Sequence, residues 1–303
     1  MMNDTTLIIL IGLPASGKST YARELINDFK DEAVWLSSDN IRIKYDYKIS
    51  NEEVFKIMWN GVKTAAIQKK IIIYDATNLF AKNRIHLINQ FKKVCKDNGL
   101  KGKVECTLFL QPINVLFKRN AGRVGREVVP EDVIWRMMKQ FQFPMKAEGY
   151  DSIFVSKTSE GKELFVDEIM MMPQDNPHHT MSLGEHLSVA AEKAIISNCS
   201  INVYIASLYH DVGKWFCKEI DDKGIAHYYG HENIGAYMLA LHFFANNILN
   251  KGPFYNIICL VNYHMRPYVW KKSSRAQSKD RRLFGESFYK QLMDLHYCDE
   301  AAH

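Results

Sequence analysis

The order of apolar and polar positions predicts two different kinds of structure along the chain. In the first half, runs of Ile, Leu and Val at 7–11, 33–36, 71–74 and 104–110 predict buried parallel strands. Between them, apolar residues recur at helical spacing, as at 52–70 and 83–98. Strands that alternate with helices favour an α/β fold in which helices cover a parallel sheet.

In the second half, helical spacing dominates and signals for parallel strands are absent. The pattern predicts helices over 183–196, 201–210, 233–247, 253–264 and 284–302. Prolines and polar residues between 171 and 180 interrupt both periodicities, as domain linkers do. We therefore predict an α/β domain at 1–170, a linker at 171–180 and an all-α helical bundle at 181–303.

Composition sets limits on this picture. The chain has 303 residues, 47% of them apolar and 24% charged, which suits two globular domains with their own cores. A net charge of +5 permits an anionic partner without requiring one. No apolar run reaches the roughly 18 residues of a membrane span, so we expect no membrane partner. Six scattered cysteines without a C-x-x-C pair favour reduced thiols and a cytoplasmic location, and the oligomeric state stays open.

The first strand runs into the sequence GLPASGKS, which fits the phosphate-loop pattern G-x-x-x-x-G-K-[ST]. In such a loop, backbone N–H groups surround a polyphosphate, the lysine reaches the β- and γ-phosphates, and the serine hydroxyl binds Mg²⁺. A glycine-rich turn in an unrelated fold is disfavoured by the strand before it and the helix after it. The motif predicts a site for ATP, or another nucleoside triphosphate, with Mg²⁺. The predicted site comprises Gly12, Pro14, Ala15, Ser16, Gly17, Lys18, Ser19 and Thr20.

Other polar residues follow the strands of the predicted sheet. Asp39 and Arg42 follow the second strand, where Asp39 has two interpretations: a base that takes a proton from a hydroxyl acceptor, or a helix cap. Asp75 follows the third strand and could place Mg²⁺ through a water. A Gly-interrupted basic stretch carries Arg119, Arg123 and Arg126. It reads either as a lid over a triphosphate or as a solvated loop, and the phosphate loop upstream favours the lid.

Taken in order, these motifs resemble those of phage-type polynucleotide 5′-hydroxyl kinases over about residues 5–145. The matching elements are G-x-P-x-S-G-K-S-T, S-x-D-x-x-R, D-x-T-N-L and K-R-N-x-x-R. The resemblance implies that Asp39 is the general base on a 5′-OH and that Arg42 contacts a phosphate of the acceptor strand. Arg123 matches the lid arginine, with Arg119 beside it as a further donor contact. Arg126 has no counterpart in the family pattern, and we assign it to the donor site because it lies in the same basic stretch. Thr77 and Asn78 belong to the acceptor side, and Ala76 separates them from Asp75, which therefore carries less weight than Asp39.

Histidine and aspartate residues concentrate in the predicted helical part. His210 and Asp211 are adjacent, so one point of the backbone offers a nitrogen and an oxygen to the same cation. Histidines elsewhere on the helices complete a possible site for Mn²⁺, Fe²⁺, Co²⁺ or Ni²⁺. The alternative for any single histidine is a packed or surface residue. A basic stretch at 271–282 reads equally as a phosphate contact or as a solvated loop.

The pattern H…H-D-x-G-K…H-E…H…D resembles the HD-domain phosphohydrolases over about residues 180–303. That resemblance implies a metal-binding quartet of His186, His210, Asp211 and Asp299, with Asp294 as a rival for the last position. It assigns a second metal or a phosphate contact to His231 and His264. Lys214 matches a residue that contacts the substrate phosphate.

Together the two halves resemble bifunctional end-healing enzymes of RNA repair. We expect ATP-dependent phosphorylation of 5′-OH ends of RNA, with DNA as an alternative, and hydrolysis of 2′,3′-cyclic or terminal phosphates. An RNA ligase is the expected functional partner. Two other functions stay open: a small-molecule or nucleoside kinase joined to an HD nucleotidase, and an ATP-gated sensor that regulates an HD hydrolase.

Overall fold

The computed structural model describes residues 4–156, 166–176, 181–245 and 252–302, and the chain divides into two compact units. The first unit is Met1–Ile134 with Pro144–Lys157. The second is Trp135–Phe143 with Thr158–His303.

A five-stranded sheet forms the centre of the first unit. Its strands are β1 (Asp4–Gly12), β2 (Ala33–Ser37), β3 (Ile71–Asp75), β4 (Lys101–Phe109) and β5 (Ser152–Val155). Their order is β2-β3-β1-β4-β5 and every pairing is parallel. Strand β1 is central, which explains its apolar run at 7–11. Leu7 pairs with Ile72 on one side and Val104 on the other, and all three are buried.

Helices connect the strands of this sheet, as the alternating pattern predicts. They are α1 (Lys18–Phe29), α2 (Ser38–Lys44), α3 (Asn51–Ile67), α4 (Ala81–Asp97) and α5 (Ile113–Ala121). Helix α6 (Glu131–Met138) begins in this unit, and its residues from Trp135 onward belong to the second. Ser50 begins α3 with a capping box, because its hydroxyl accepts from Glu53 N while the Glu53 carboxylate accepts from Ser50 N. The first unit thus has the parallel-sheet α/β fold of phosphate-loop proteins.

The second unit is mostly helical among the residues described. Its helices are α7 (Val166–Met170), α8 (Leu183–Ile196), α9 (Ile201–Tyr209), α10 (Lys214–Cys217), α11 (His231–Ala245), α12 (Gly252–Tyr263), α13 (Arg266–Lys272) and α14 (Ser274–Glu300). A short antiparallel hairpin joins β6 (Glu219–Ile220) to β7 (Ala226–His227). Ser182 and Glu185 form a capping box at the start of α8. No helix in the described ranges combines the length and apolar character that crossing a bilayer requires.

Two features differ from the sequence prediction. Ile169 and Met172 share a buried core with Leu183 and Leu187. The end of the predicted α/β domain and the start of the predicted linker therefore pack in the second unit. Residues 177–180 of that linker lie outside the described residues. The basic stretch at 271–282 is helical except around Ser273, whose side chain caps α14 by accepting from Ala276 N.

Candidate functional sites

The phosphate loop connects β1 to α1 in a conformation that glycine alone accepts at two points. Gly17 has φ +101° at the N-cap of α1, in the left-handed region. A Cβ on Gly12 would lie 2.7 Å from Ser16 Oγ and 2.8 Å from Phe109 O. The loop therefore closes tightly at the positive end of a twelve-residue helix, where backbone N–H groups can receive a phosphate.

Lys18 lies against the loop that precedes it. Its Nζ donates to Gly12 O at 3.0 Å and to Leu13 O at 2.8 Å. Burial lowers the pKa of Lys18 to about 8, although Asp75 and Asp39 act in the opposite direction. A bound anionic phosphate would raise the pKa of Lys18 again and favour its charged form. Binding of a triphosphate would therefore offset the cost of burying this ammonium group.

Asp75, to which the sequence assigns less weight than Asp39, lies in contact with the residue that follows Lys18. Ser19 Oγ donates to Asp75 Oδ2 at 2.9 Å, and Trp35 Nε1 donates to the same oxygen at 3.2 Å. Burial raises the pKa of Asp75, while Lys18 and these hydrogen bonds lower it. A hydroxyl and a carboxylate thus meet where Mg²⁺ would bind. The sequence signal for this carboxylate is an acid at the end of an apolar strand.

Asp39 and Arg42 occupy the short helix α2. Ser37 caps that helix by accepting from Asn40 N at 3.2 Å, so capping does not need the Asp39 carboxylate. Arg42 Nη1 lies 3.2 Å from Asp39 Oδ1, and its Nη2 donates to Asn51 Oδ1 at 2.9 Å. The Asp39 side chain is 74% exposed, and its charge reaches Lys18. An exposed carboxylate near the phosphate loop can accept a proton from an incoming hydroxyl.

Thr77 and Asn78 lie in the turn after β3. Thr77 O accepts from Gly12 N at 3.1 Å, which joins this turn to the phosphate loop. Asn78 Nδ2 donates to Leu10 O at 2.7 Å, and its φ is +51°. The Asn78 amide therefore supports the carboxyl edge of the sheet. The resemblance to polynucleotide kinases places Thr77 and Asn78 on the acceptor side of the site.

The arginines of the predicted lid lie on α5 and the loop after it. Arg119 is exposed on α5, and Arg123 Nη1 donates to Glu127 O at 3.2 Å. Arg126 stacks over the Tyr47 ring at 5.4 Å. The charge of Arg123 contributes to lowering the pKa of Lys18, so this arginine lies within electrostatic range of the phosphate loop.

Asn120 closes the base of this loop. The side chain is buried, and its Nδ2 donates to Val129 O at 2.7 Å while its Oδ1 accepts from Val129 N at 3.0 Å. These two bonds hold together the ends of the segment that carries Arg123 and Arg126. Nothing in the sequence distinguishes Asn120 from a solvated asparagine of the same basic stretch, so the sequence does not identify this role.

Five helices of the second unit bring histidine and aspartate side chains together. His186 lies on α8, His231 begins α11, and Asp299 lies near the end of α14. His210 and Asp211 follow α9, and His264 follows α12. The ligand atoms form two groups, each within 4.8 Å: His186, His210, Asp211 and Asp299, and Asp211, His231 and His264. All six residues are buried, and Asp294 is in neither group.

Asp211 belongs to both groups because its two oxygens face in different directions. Oδ2 lies 3.3 Å from His186 Nε2 and 3.5 Å from His210 Nε2. Oδ1 lies 3.0 Å from His231 Nε2 and 3.4 Å from His264 Nε2. A carboxylate placed in this way can bridge two cations.

The backbone fixes which nitrogen of each histidine faces the cluster. The Nδ1 atoms of His186, His210, His231 and His264 lie 2.7–3.2 Å from the carbonyl oxygens of Ala302, Ser207, Tyr228 and Val261. An Nδ1–H that donates to a carbonyl leaves a lone pair on Nε2, the arrangement typical of metal-binding histidines.

The spacing of these atoms fits cations. His186 Nε2 lies 3.2 Å from His210 Nε2, and His231 Nε2 lies 3.2 Å from His264 Nε2. Two unprotonated nitrogens cannot hydrogen bond to each other. Ligand atoms that lie about 2.1 Å from one ion are roughly 3.0–3.4 Å from each other at octahedral or tetrahedral angles. The two Nε2–Nε2 distances of 3.2 Å fall in this range.

Charged and phenolic groups surround this cluster. Lys214 Nζ lies 2.6 Å from Asp211 Oδ2 and donates to Gln174 Oε1 at 2.9 Å. Tyr268 OH donates to Asp299 Oδ2 at 3.0 Å, a contact that the sequence did not indicate. Burial would raise the pKa of Asp211, but Lys214 and His210 hold it well below its usual range. A pocket of about 560 Å³ opens above these groups.

Part of the chain is similar to known proteins. Residues 7–144 match a family model described as an AAA domain. L-seryl-tRNA(Sec) kinase of Methanococcus maripaludis is 32% identical over 151 residues, which cover 48% of this chain and 56% of that protein. The chain thus spans about half the length of this curated relative.

Two solved structures are also similar. A chain of the Pnkp1/Rnl/Hen1 complex is 27% identical, with 38% of each chain covered and a TM-score of 0.33. A fungal RNA kinase is 14% identical, with 53% of this chain and 78% of that chain covered and a TM-score of 0.41. The residues matched by the family model include the phosphate loop, Asp39, Asp75 and the arginine loop, and the histidine–aspartate cluster lies outside them.

Proposed function

We propose that the chain is a bifunctional enzyme that prepares RNA ends for joining. The first unit transfers phosphate from ATP to a 5′-OH, and the second is an HD-type hydrolase of 2′,3′-cyclic or terminal phosphates. The observation that carries the proposal is the presence of two separate phosphate-handling arrangements in one chain. One is the Lys18–Ser19–Asp75 constellation at the phosphate loop, and the other is the cluster that shares Asp211.

In the kinase reaction, the residues act by positioning and by stabilising charge. The loop N–H groups and Lys18 bind the phosphates, while Ser19 and Asp75 would hold Mg²⁺, which neutralises charge on the transferred group. Asp39 orients the acceptor hydroxyl and accepts its proton. Arg123 approaches the donor phosphates when its loop closes over them.

In the hydrolase reaction, His186, His210, Asp211 and Asp299 would hold one cation, and Asp211, His231 and His264 a second. Such cations lower the pKa of a bound water and polarise a phosphate. Lys214 lines the pocket beside Asp211 and binds a phosphate oxygen of the substrate. Tyr268 orients Asp299 through its hydrogen bond to Oδ2.

An acceptor carried by RNA is supported by two features. The curated relative is named as a kinase of seryl-tRNA, so its named substrate is attached to an RNA. Arg42 is held beside Asp39 by Asn51, at a place where it can contact the phosphate next to the acceptor hydroxyl.

The kinase half is tested with labelled ATP and three acceptors: an oligoribonucleotide with a 5′-OH, adenosine, and seryl-tRNA. We expect transfer to the oligoribonucleotide and its loss in Asp39→Asn with ATP binding retained. Asp46→Asn is the matched control, because Asp46 is an exposed acid paired with Lys48 in the same part of the chain. Transfer to adenosine or seryl-tRNA alone would replace the proposed acceptor, and no transfer to any of them would contradict the kinase.

The hydrolase half is tested first by metal content. We expect two transition-metal ions per chain, one after Asp299→Asn or His264→Ala, and none after Asp211→Asn. Asp294→Asn, the rival position on α14, should keep both ions. Metal-loaded protein should then open a 2′,3′-cyclic phosphate on RNA or release a terminal phosphate. Equal loss of metal in Asp294→Asn and Asp299→Asn, or no bound ion in the wild type, would contradict the site.

A further inference from the structure

An aromatic pair stands at the pocket above the histidine–aspartate cluster, and the proposed chemistry does not use it. The rings of His227 and Tyr229 are stacked with an interplanar angle of 3° and centroids 5.6 Å apart. Tyr229 is 68% exposed, although large aromatic side chains usually bury most of their surface. An exposed ring supported on one side by another ring leaves its second face open to a ligand.

The backbone around this pair is held in place by several contacts. His227 Nε2 lies 3.1 Å from Asp221 Oδ2 across the β6–β7 hairpin. Tyr228, between the stacked residues, donates from its hydroxyl to Gln174 O. Gly230 has φ +79°, and a Cβ there would lie 2.7 Å from Lys139 O, so this turn is restricted to glycine. The orientation of Tyr229 is therefore set by its surroundings.

The same segment also reaches the candidate metal centre. Tyr228 O lies 2.7 Å from His231 Nδ1, so the residue between the stacked rings orients one of the ligands. Tyr229 lines the pocket together with Asp211, Lys214 and His231. The pocket thus has a charged end that suits a phosphate and an aromatic edge that suits a flat apolar group. A nucleotide combines these two features.

We propose that Tyr229, backed by His227, is a stacking platform for the nucleobase of the nucleotide whose phosphate reaches the Asp211 cluster. The proposal rests on the hydrolase half of the proposed function and adds its substrate class. Stacking is tolerant of base identity, because every base has a π face. The ligand is therefore a nucleobase next to a phosphate, whether as a free nucleotide or as the last residue of a single strand.

The test measures binding and turnover separately. The probes are adenosine 3′-phosphate, a five-nucleotide oligoadenylate with a 3′-phosphate, and the same oligomer with an abasic last residue. The variants are Tyr229→Ala, Tyr229→Trp and, as matched control, Tyr297→Ala, which removes an aromatic that is 53% exposed outside the pocket lining. Binding is measured after metal removal. Turnover of glycerol 2-phosphate, which has no ring to stack, is measured with metal and reports the cluster alone.

We expect Tyr229→Ala to weaken binding of the oligoadenylate about 5- to 150-fold, the range that one lost stack corresponds to. Tyr229→Trp and Tyr297→Ala should bind like the wild type, and the abasic probe should be insensitive to Tyr229→Ala. Tighter binding of the oligomer than of the mononucleotide would identify a strand end as the ligand, and equal binding a free nucleotide.

Equal binding of the intact and abasic probes by the wild type, or an unchanged affinity in Tyr229→Ala, would overturn the platform. If glycerol 2-phosphate is hydrolysed in that case, the hydrolase proposal survives without the platform. If no phosphoester is hydrolysed although base-dependent binding is lost in Tyr229→Ala, the platform stands and the hydrolase assignment fails.

Discussion

A buried ion pair supports the phosphate loop and allows a sharp test of its energetic role. Arg84 Nε donates to Glu148 Oε2 at 2.8 Å and Nη2 to Oε1 at 2.6 Å, and the two side chains are 1% and 2% exposed. Arg84 Nη1 also donates to Asn78 O at 2.9 Å and Leu79 O at 3.0 Å. The pair therefore holds the turn whose Thr77 carbonyl accepts from Gly12 N.

Replacing Glu148 with Ala leaves the Arg84 guanidinium buried without its counter-charge. Breaking a buried pair from one side costs about 3–5 kcal/mol. With a urea m-value of about 2 kcal/mol/M, the unfolding midpoint of the first unit should fall by about 1.5–2.5 M. Glu148→Gln, which keeps one acceptor oxygen, should give a smaller fall, since a neutral amide still receives one of the two hydrogen bonds.

The assay is urea unfolding followed by tryptophan fluorescence, since Trp35 lies beside Asp75 in the first unit. The matched control is Glu286→Ala, because Arg281 and Glu286 form the same two-bond geometry at 2.7 Å for each bond, with side chains 53% and 72% exposed. We expect no measurable midpoint shift in the control, because water screens an exposed pair. Equal shifts in Glu148→Ala and Glu286→Ala would refute the argument from burial.

Three further substitutions test the phosphate-loop site. Asp75→Asn should keep the hydrogen bond from Ser19 but lower phosphate transfer about 10- to 100-fold by weakening Mg²⁺ binding, which is measured by titrating Mg²⁺ in the kinase assay. Normal Mg²⁺ dependence would contradict this role. Asn120→Ala breaks both bonds to Val129, at a cost of about 1–3 kcal/mol, so trypsin should cleave faster at Arg123 and Arg126; unchanged cleavage would show that the loop is held by other contacts. Lys18→Met should stabilise the nucleotide-free protein at pH 7 by up to about 3 kcal/mol, because the folded-state pKa of about 8 lies below the unfolded value of 10.5. In the wild type, burying Lys18 lowers the free energy of unfolding by its full amount below pH 8, and this loss disappears as the pH rises towards 10.5. The melting temperatures of the wild type and Lys18→Met should therefore converge across this range. Failure to converge would contradict the burial argument, and ATP should no longer raise the melting temperature of the variant.

The sequence predicts elements better than it predicts contacts between distant parts of the chain. Residues 7–11 of β1 are apolar on both faces, as the sequence pattern predicts for a buried strand. The bounds of α8 agree with the predicted 183–196, because its core-facing residues recur at helical spacing. The contact between Ser19 and Asp75 joins positions 56 residues apart. It depends on β3 lying next to β1 in the sheet, and strand order is not written in local periodicity.

Helix α14 shows why a charged stretch can mislead. The residues at 271–282 carry no apolar stripe, so their pattern predicts a basic loop, either solvated or in contact with phosphate. In the structure the side chain that faces inward there is Asp280, which accepts from Arg266 Nε at 2.8 Å and Trp270 Nε1 at 2.9 Å. Asp280 accepts three hydrogen bonds, two from Arg266 and one from Trp270. This buried acid stands where a helix usually has an apolar residue, so hydrophobic periodicity does not detect the inward face.

The same helix also shows what periodicity does decide. Leu292, Leu295 and Asp299 are spaced by three and four residues, so they share one face, and all three are buried. Asp294 is two positions after Leu292 and lies off that face, partly exposed. Helical phase alone therefore separates the two aspartates and directs Asp299 inward. Helical phase does not predict which groups the Asp299 carboxylate contacts. His186, His210 and Tyr268 come from other helices or their ends, and only the packing of those helices brings them within 3.0–3.3 Å of Asp299.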